Sequence, residues 1–379
     1  MRRHHPAPPD VDPREGMRVN LPWLNRIGSA VPAHDIHAEF IDYALSALAA
    51  EPHRQALFER MAALADIEHR YAILEPAPRP RTRILDQGGF YRRGAFPSTA
   101  QRMERYGTEA LALAMQAIAA LDIDAERNRI THLVVASCTG FTAPGLDFQI
   151  LRAAGLDQRV ERTLVGFMGC FAAVNALKLA WHIARSSPEA MVLVVATELS
   201  SLHLQERFDD LATLLSFLLF GDGAAACLVS NDANGILLGP FKSTLIPDTE
   251  DLITWQIRDS GFVMHLSGQV PGHIRRFLPA HGTPLLGGRT PADVSLWAVH
   301  AGGRSILDAV QQGLQLPPDA LRHSRAVLRE YGNMSSATLM FVLDRIMRAA
   351  PQGGATGGDG LAMAFGPGLT VETFAFRRP

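Results

Sequence analysis

Apolar positions along the chain fall into two alternating patterns. Short runs, rich in β-branched residues and alanine, stand at 131–137 ("THLVVAS"), 190–198, 224–230, 295–300, 360–366 and 370–376. They lack strict alternation, which predicts strands covered on both faces. Stretches with helical spacing lie between them at 37–50, 53–65, 98–121, 171–185, 304–314 and 335–349. Strand alternating with helix predicts an α/β protein. The segment 241–293 carries many glycines and prolines and predicts irregular loops that line something.

Two stretches of this pattern run in parallel. "ITHLVVASCTGFTAPGLDFQILRAAGL" is a strand, a glycine-rich turn and a helix, and "VSLWAVHAGGRSILDAVQQGL" repeats that order. Each is followed by a glycine turn before a helix, "MGCFAAVNALKLA" or "YGNMSSATLMFVL", and then by an apolar strand. The pairing predicts one duplicated α/β unit with a pseudo-two-fold axis. Its halves would span 19–235 and 236–379, after a loose tail over 1–18. Cys138 then corresponds to His300, and Cys170 to Asn333. Equivalent turns converge on such an axis, so Cys170, His300 and Asn333 are expected together.

That convergence changes the reading of each residue. An isolated free cysteine is more often a packing residue than a nucleophile. Cys170, however, precedes a helix that is apolar nearly all round, and helix N-terminal amides favour a thiolate. His300 ends a strand before a glycine-rich turn, a ligand-facing position in α/β sheets. Asn333 on its own reads as a helix cap. Together the three suit acyl transfer through a thioester: the cysteine takes the acyl group, while imidazole and amide polarise a carbonyl or stabilise an enolate. Glu198 and Cys227 read as structural groups, the first a buried acceptor and the second core packing. "GDGAAA" lacks a phosphate-loop lysine and reads as a tight turn into a strand.

Composition narrows the setting. Three cysteines in 379 residues are too few for a disulfide framework, so a reducing cytoplasm is the expected compartment. A formal net charge of −2 offers no general attraction to nucleic acid or anionic lipid. The proline-rich N-terminus has no apolar core, and no long apolar run predicts a membrane span.

In this order the motifs "GCFAA" (169–173), "LLFGDGAAACLV" (218–229), "HAGG" (300–303), "YGNMSSAT" (331–338) and "FGPGLTVET" (365–373) resemble the type III polyketide synthases. These are the chalcone synthase-like branch of the thiolase-fold enzymes. The resemblance covers the chain from about residue 20. It implies a homodimeric acyltransferase with no cofactor beyond its coenzyme A thioester substrates and no metal. Cys170 would be loaded from an acyl-CoA starter and the chain extended by decarboxylative condensation with malonyl-CoA. His300 and Asn333 would serve decarboxylation and the oxyanion. The expected products are alkylpyrones, alkylresorcinols or small phenols. The alternative is a single-condensation enzyme like 3-oxoacyl-carrier-protein synthase III. A papain-like protease shares the Cys, His, Asn order, but the duplicated α/β pattern opposes it.

The resemblance also implies finer roles. Phe220 matches a gatekeeper between tunnel and cavity, and Met264 replaces a second gate phenylalanine. Gly366 and Pro367 match the loop shaping the cyclisation cavity. Cys138 stands where plant enzymes have threonine, Trp255 where they have glycine, and His203 where a small polar residue is usual. Ala143 replaces a methionine that reaches into the neighbouring subunit. Coenzyme A would be held at Arg60, Gly302, Gly303 and Ser305, while Leu57 and Leu64 replace lysines.

Overall fold

The computed structural model describes residues 20–79, 83–206, 211–349 and 357–379; the expected tail over 1–18 lies outside them. The first part of the chain runs β1 (Trp23–Ala30), β2 (His34–Asp35), α1 (His37–Ala47), α2 (Pro52–Ala63), β3 (Tyr71–Ala72), α3 (Thr99–Leu121) and β4 (His132–Ser137). It continues through α4 (Leu146–Ala153), β5 (Glu161–Gly166), α5 (Ala172–Ser186), β6 (Met191–Leu199), α6 (Leu211–Leu219) and β7 (Asp222–Ser230). The remainder begins with β8 (Ile236–Leu245), β9 (Ile253–Arg258), β10 (Gly261–Leu266), α7 (Val270–Leu285) and β11 (Leu296–Val299). It ends with α8 (Arg304–Gly313), α9 (Arg322–Tyr331), α10 (Ala337–Arg348), β12 (Gly358–Gly366) and β13 (Thr370–Arg378).

Nine strands form one mixed sheet in the order β11-β12-β13-β8-β1-β7-β6-β4-β5. Outward from the β1–β8 seam, the series β1-β7-β6-β4 and β8-β13-β12-β11 repeat the same directions. β6 and β4 are parallel, as are β12 and β11, and the other neighbours are antiparallel. The seam itself is thin: β1 meets β8 only through Trp23–Leu237 and Leu24–Ile236. The duplication is therefore present in the topology. It is imperfect at one place, because β5 has no strand counterpart among the described residues.

Side-chain alternation sorts the strands into layers. In β6, Val192, Val194 and Ala196 face a core shared with α5 and α10, and Leu193 and Val195 face one shared with α3 and α4. In β12, Ala362 and Ala364 join the first core, and Leu361 and Met363 pack with α7 and α8. Helices α5 and α10 thus form a middle layer between two halves of the sheet, with α3/α4 outside one half and α7/α8 outside the other. This is the layered thiolase-like arrangement. Cys227 is fully buried in the middle core, as its packing role required.

The segment read as irregular loops holds β8, the β9–β10 hairpin and α7 instead. Helix α7 contains Pro279 and Pro284, which disguise it, yet Val270, Ile274, Phe277, Leu278 and Leu285 lie on its buried side. Packing against α8 outweighs the weak local preference.

Candidate active site

The Cys170 turn is shaped by two close approaches. A short 3-10 turn, Gly169–Phe171, runs directly into α5. Gly169 has φ +78°, and a Cβ there would lie 2.3 Å from Pro367 Cδ. A Cβ on Gly366 would lie 2.5 Å from the Phe171 ring. The "FGPGL" loop therefore packs directly on the cysteine turn, and glycine at both positions makes that contact possible. Cys170 itself is half-buried.

The equivalent turn of the other half meets it. Asn333 N donates to Leu219 O at 2.8 Å and Asn333 O accepts from Gly221 N at 2.9 Å, which fixes Phe220 beside it. The Asn333 Oδ1 accepts from Ser335 N at 2.8 Å, a local turn that orients the amide. Its Nδ2 donates to Gly302 O at 3.2 Å, in the loop that begins at His300. His300 is held by its own backbone bond to Met363 O, 2.8 Å, at the end of β11. Both His300 ring nitrogens are buried with no hydrogen-bond partner among the described residues, an unusual state for an imidazole in a core.

Burial opposes charge on each member. It pushes the Cys170 thiol up to about 12, an effect that Ser335 reduces by hydrogen bonding, the Glu198 carboxylate reinforces, and Asn333 also reduces. It pushes His300 down to about 4. The N-terminus of α5 favours the thiolate, as the sequence suggested, but enclosure outweighs it in this structure. Burial thus disfavours the thiolate at Cys170 and the imidazolium at His300 alike.

Beside the thiol, Glu198 ties two turns to the end of β6. Its Oε2 accepts from Cys138 N and Thr139 Oγ1, both at 2.9 Å, and its Oε1 accepts from Ser336 Oγ at 2.5 Å. Burial raises this carboxyl to about 7. Cys138 is buried; its sulfur accepts from Gly169 N at 3.0 Å, and its carbonyl accepts from Trp255 Nε1 at 2.9 Å. His203 is enclosed, with Nε2 donating to Thr139 O at 2.7 Å and Nδ1 accepting from Phe262 N at 3.0 Å. Met264 faces Trp255 across the β9–β10 pair. Cys138, His203, Trp255 and Met264 thus form a contiguous wall beside the Cys170 turn.

A cavity of about 580 Å³ opens next to this cluster, lined by Gly302, Gly303, Arg304, Ser305 and the α6 residues Leu215, Leu218 and Leu219. Met61 and Leu64 of the α2 region stand at its side. Arg60 does not line it; its side chain is exposed on α2. Arg304 does, and donates to Leu64 O at 3.2 Å. The sequence reading missed Arg304 as well as Arg70. Arg70 is fully buried, donates from Nη1 to the carbonyls of Phe217 and Phe220 at 2.6 Å each, and packs under Gly332. Its segment, "EHRY", carries no periodic or motif signal. Ser335 and Ser336 were visible within "YGNMSSAT", though without a role.

Family models decide what this arrangement is. Residues 20–233 match "Chalcone and stilbene synthases, N-terminal domain", and residues 240–378 match the C-terminal domain of the same family. The chain belongs to the chalcone and stilbene synthase family. Solved structures agree with the assignment. The C-terminal type III polyketide synthase domain of Steely1, a type I/III hybrid from Dictyostelium, is 25% identical with a TM-score of 0.85, over 95% of this chain and 99% of that one. PKS-I from the brown alga Ectocarpus siliculosus is 29% identical with a TM-score of 0.82, over 95% and 98%. A mutant of CsyB, at 24% identity and a TM-score of 0.81, shares the fold over 95% of this chain and all of that one. This chalcone synthase-like chain is a type III polyketide synthase, an acyltransferase of decarboxylating condensation that uses coenzyme A thioesters. The single-condensation alternative is not favoured. Among the described residues, no helix is long and apolar enough to cross a membrane.

Proposed function

We propose that Cys170 carries the acyl chain and that His300 and Asn333 together act on the thioester carbonyl. The observation that carries this reading is the chain of contacts from the Cys170 sulfur to the Asn333 amide, from that amide to Gly302 O, and from Gly302 N to His300 O at 2.9 Å. In acyl loading, the thiol proton passes to neutral His300 and the sulfur attacks the starter carbonyl, releasing coenzyme A as its thiol. In extension, His300 and Asn333 donate hydrogen bonds to the malonyl thioester oxygen. Carbon dioxide leaves, and the resulting enolate attacks the Cys170 thioester carbonyl, expelling the Cys170 thiolate and leaving the extended β-ketoacyl chain on coenzyme A.

The 580 Å³ cavity is the proposed entrance for the pantetheine arm. Gly302, Gly303 and Ser305 form its inner wall, and Arg304 with exposed Arg60 supplies cations near the mouth. Phe220 stands as the gate. Cys138, His203, Trp255, Met264, Gly366 and Pro367 shape the cyclisation space. Two division points follow the duplication, with halves at 19–235 and 236–379. A homodimer is proposed through β5, whose outer edge is unpaired among the described residues and flanked by exposed Phe141, Phe148, Leu164 and Met168. Free thiols and a coenzyme A substrate suit the cytoplasm. An alkylpyrone, alkylresorcinol or small phenolic product is proposed.

The roles are tested by malonyl-CoA decarboxylation in His300→Gln and Asn333→Asp. Each should fall by about 100-fold or more, the scale of a lost oxyanion donor. Parent-like rates in both variants would overturn the assignment.

A further inference from the structure

Arg70 and Arg102 are among the largest fully buried side chains, and Arg70 lies directly beneath the turn that carries Asn333. We infer that Arg70 is a positioning residue: it fixes the end of α6 against that turn and so sets where the Asn333 amide stands. The inference rests on the role proposed above for Asn333 and adds the group that places it.

The Arg70 side chain is gripped along its length. Its Nε donates to His37 Nδ1 at 2.9 Å, and its Nη1 donates to Phe217 O and Phe220 O at 2.6 Å each. These carbonyls lie in the last turn of α6 and just beyond it, where no helical amide satisfies them and a cation is favoured. The Phe40 ring covers the guanidinium, with Cζ 4.9 Å from its centroid. Gly332 covers the stem: at φ +67°, a Cβ there would lie 2.7 Å from Arg70 Cγ and 2.9 Å from Leu219 O. The Arg70 backbone is anchored too, with N donating to Asp35 Oδ1 at 3.2 Å and O accepting from Ile36 N at 2.7 Å. One residue past Gly332, Asn333 N donates to Leu219 O at 2.8 Å. Arg70 therefore holds both sides of the Phe220–Asn333 bridge, the α6 end by hydrogen bonds and the Asn333 side by contact.

These contacts need a guanidinium. Burial, and then the Arg70 charge, pushes His37 down to about 4, so its Nδ1 stays available to accept. Burial lowers Arg70 to about 9, which leaves it charged at neutral pH. Its Nη2 has no partner among the described residues, a further cost of burial. An apolar side chain would fill the same space at less cost, so packing alone does not account for a charge here. What the guanidinium adds is direction, because one rigid fork reaches the imidazole and both carbonyls. Lysine offers a single nitrogen and would lose either the carbonyls or the imidazole.

The test is steady-state decarboxylation of malonyl-CoA by Arg70→Lys, Asn333→Ala and the double variant. Arg70→Lys should lower kcat roughly ten-fold or more, the scale of a misplaced group, and leave KM within about two-fold, because Arg70 does not line the entrance cavity. In the Asn333→Ala background the same change should cost less than about two-fold, since no amide is left to place. His37→Leu removes the Nε acceptor and keeps the charge. It should lower kcat in the same way but by less, and it carries the test if Arg70→Lys is recovered unfolded. Losses that multiply in the double variants would overturn the inference. So would a parent-like kcat in Arg70→Lys and His37→Leu, or a rise in KM with kcat unchanged. Parent-like decarboxylation in Asn333→Ala alone would instead overturn the role proposed for that amide.

Discussion

Each residue at the site is held by bonds that limit what it can do. Asn333 uses its Oδ1 on Ser335 N, so its Nδ2 is the end that faces outward to Gly302 and the cysteine. His300 has no such partner among the described residues, burial lowers its basicity, and in the proposed mechanism it takes the thiol proton. Replacing His300 with glutamine should therefore raise the apparent pKa of Cys170, measured from the pH dependence of iodoacetamide alkylation. An unchanged profile would mean that the imidazole does not share the thiol proton. Glu198 gives a second test. Its folded pKa, about 7, lies above the ordinary 4.5, so the native state binds the extra proton. The stability from this group is complete below 4.5 and is lost as pH rises to 7. Parent and Glu198→Gln melting temperatures should diverge in that window, with the parent declining relative to the variant. Parallel curves would contradict it.

Local structure carries the same logic to the elements. The Cys170 turn needs Gly169 at φ +78° because Pro367 occupies the space a side chain would take. Gly169→Ala should cost about 1–3 kcal/mol in chemical denaturation and displace the nucleophile, with a matching loss of acyl loading. Full loading at parent stability would show that the contact is dispensable. Much of this was legible in sequence. The strands at 131–137, 190–198 and 224–230 are buried on both faces and carry continuous apolar runs, so the pattern announced them. The duplicated "GCF" and "YGN" turns announced the pairing of Cys170 with Asn333. Edge strand β5 was not legible, because "ERTLVG" is exposed along most of its length and its pairing is set by β4 alone. Helix α7 was hidden by its prolines. Arg70 was hidden for another reason: its partners, Phe217 and Phe220, lie about 150 residues away, and nothing local distinguishes a buried guanidinium from a surface one.

For the whole molecule, the duplication explains why one site forms from distant segments. Helices α5 and α10 occupy the middle layer side by side, and the turns that introduce them face the same space. In the proposed mechanism the two halves contribute unequally: the first supplies the nucleophile, and the second supplies the imidazole and amide. Among the described residues the same fold leaves the β5 edge unpaired with apolar neighbours, which the proposed homodimer would cover. Leu164→Lys should shift sedimentation from dimer to monomer, and a parent-like sedimentation coefficient would place the interface elsewhere. The central claim is that Cys170 carries a chain extended more than once by malonyl units and then cyclised. The most direct measurement incubates the enzyme with an acyl-CoA starter and malonyl-CoA and follows both the Cys170 peptide and the released product by mass. The expected result is an acyl adduct on Cys170, absent in Cys170→Ala, and a cyclised product containing at least two malonyl-derived units. A single β-ketoacyl product, or extension that survives in Cys170→Ala, would contradict the account.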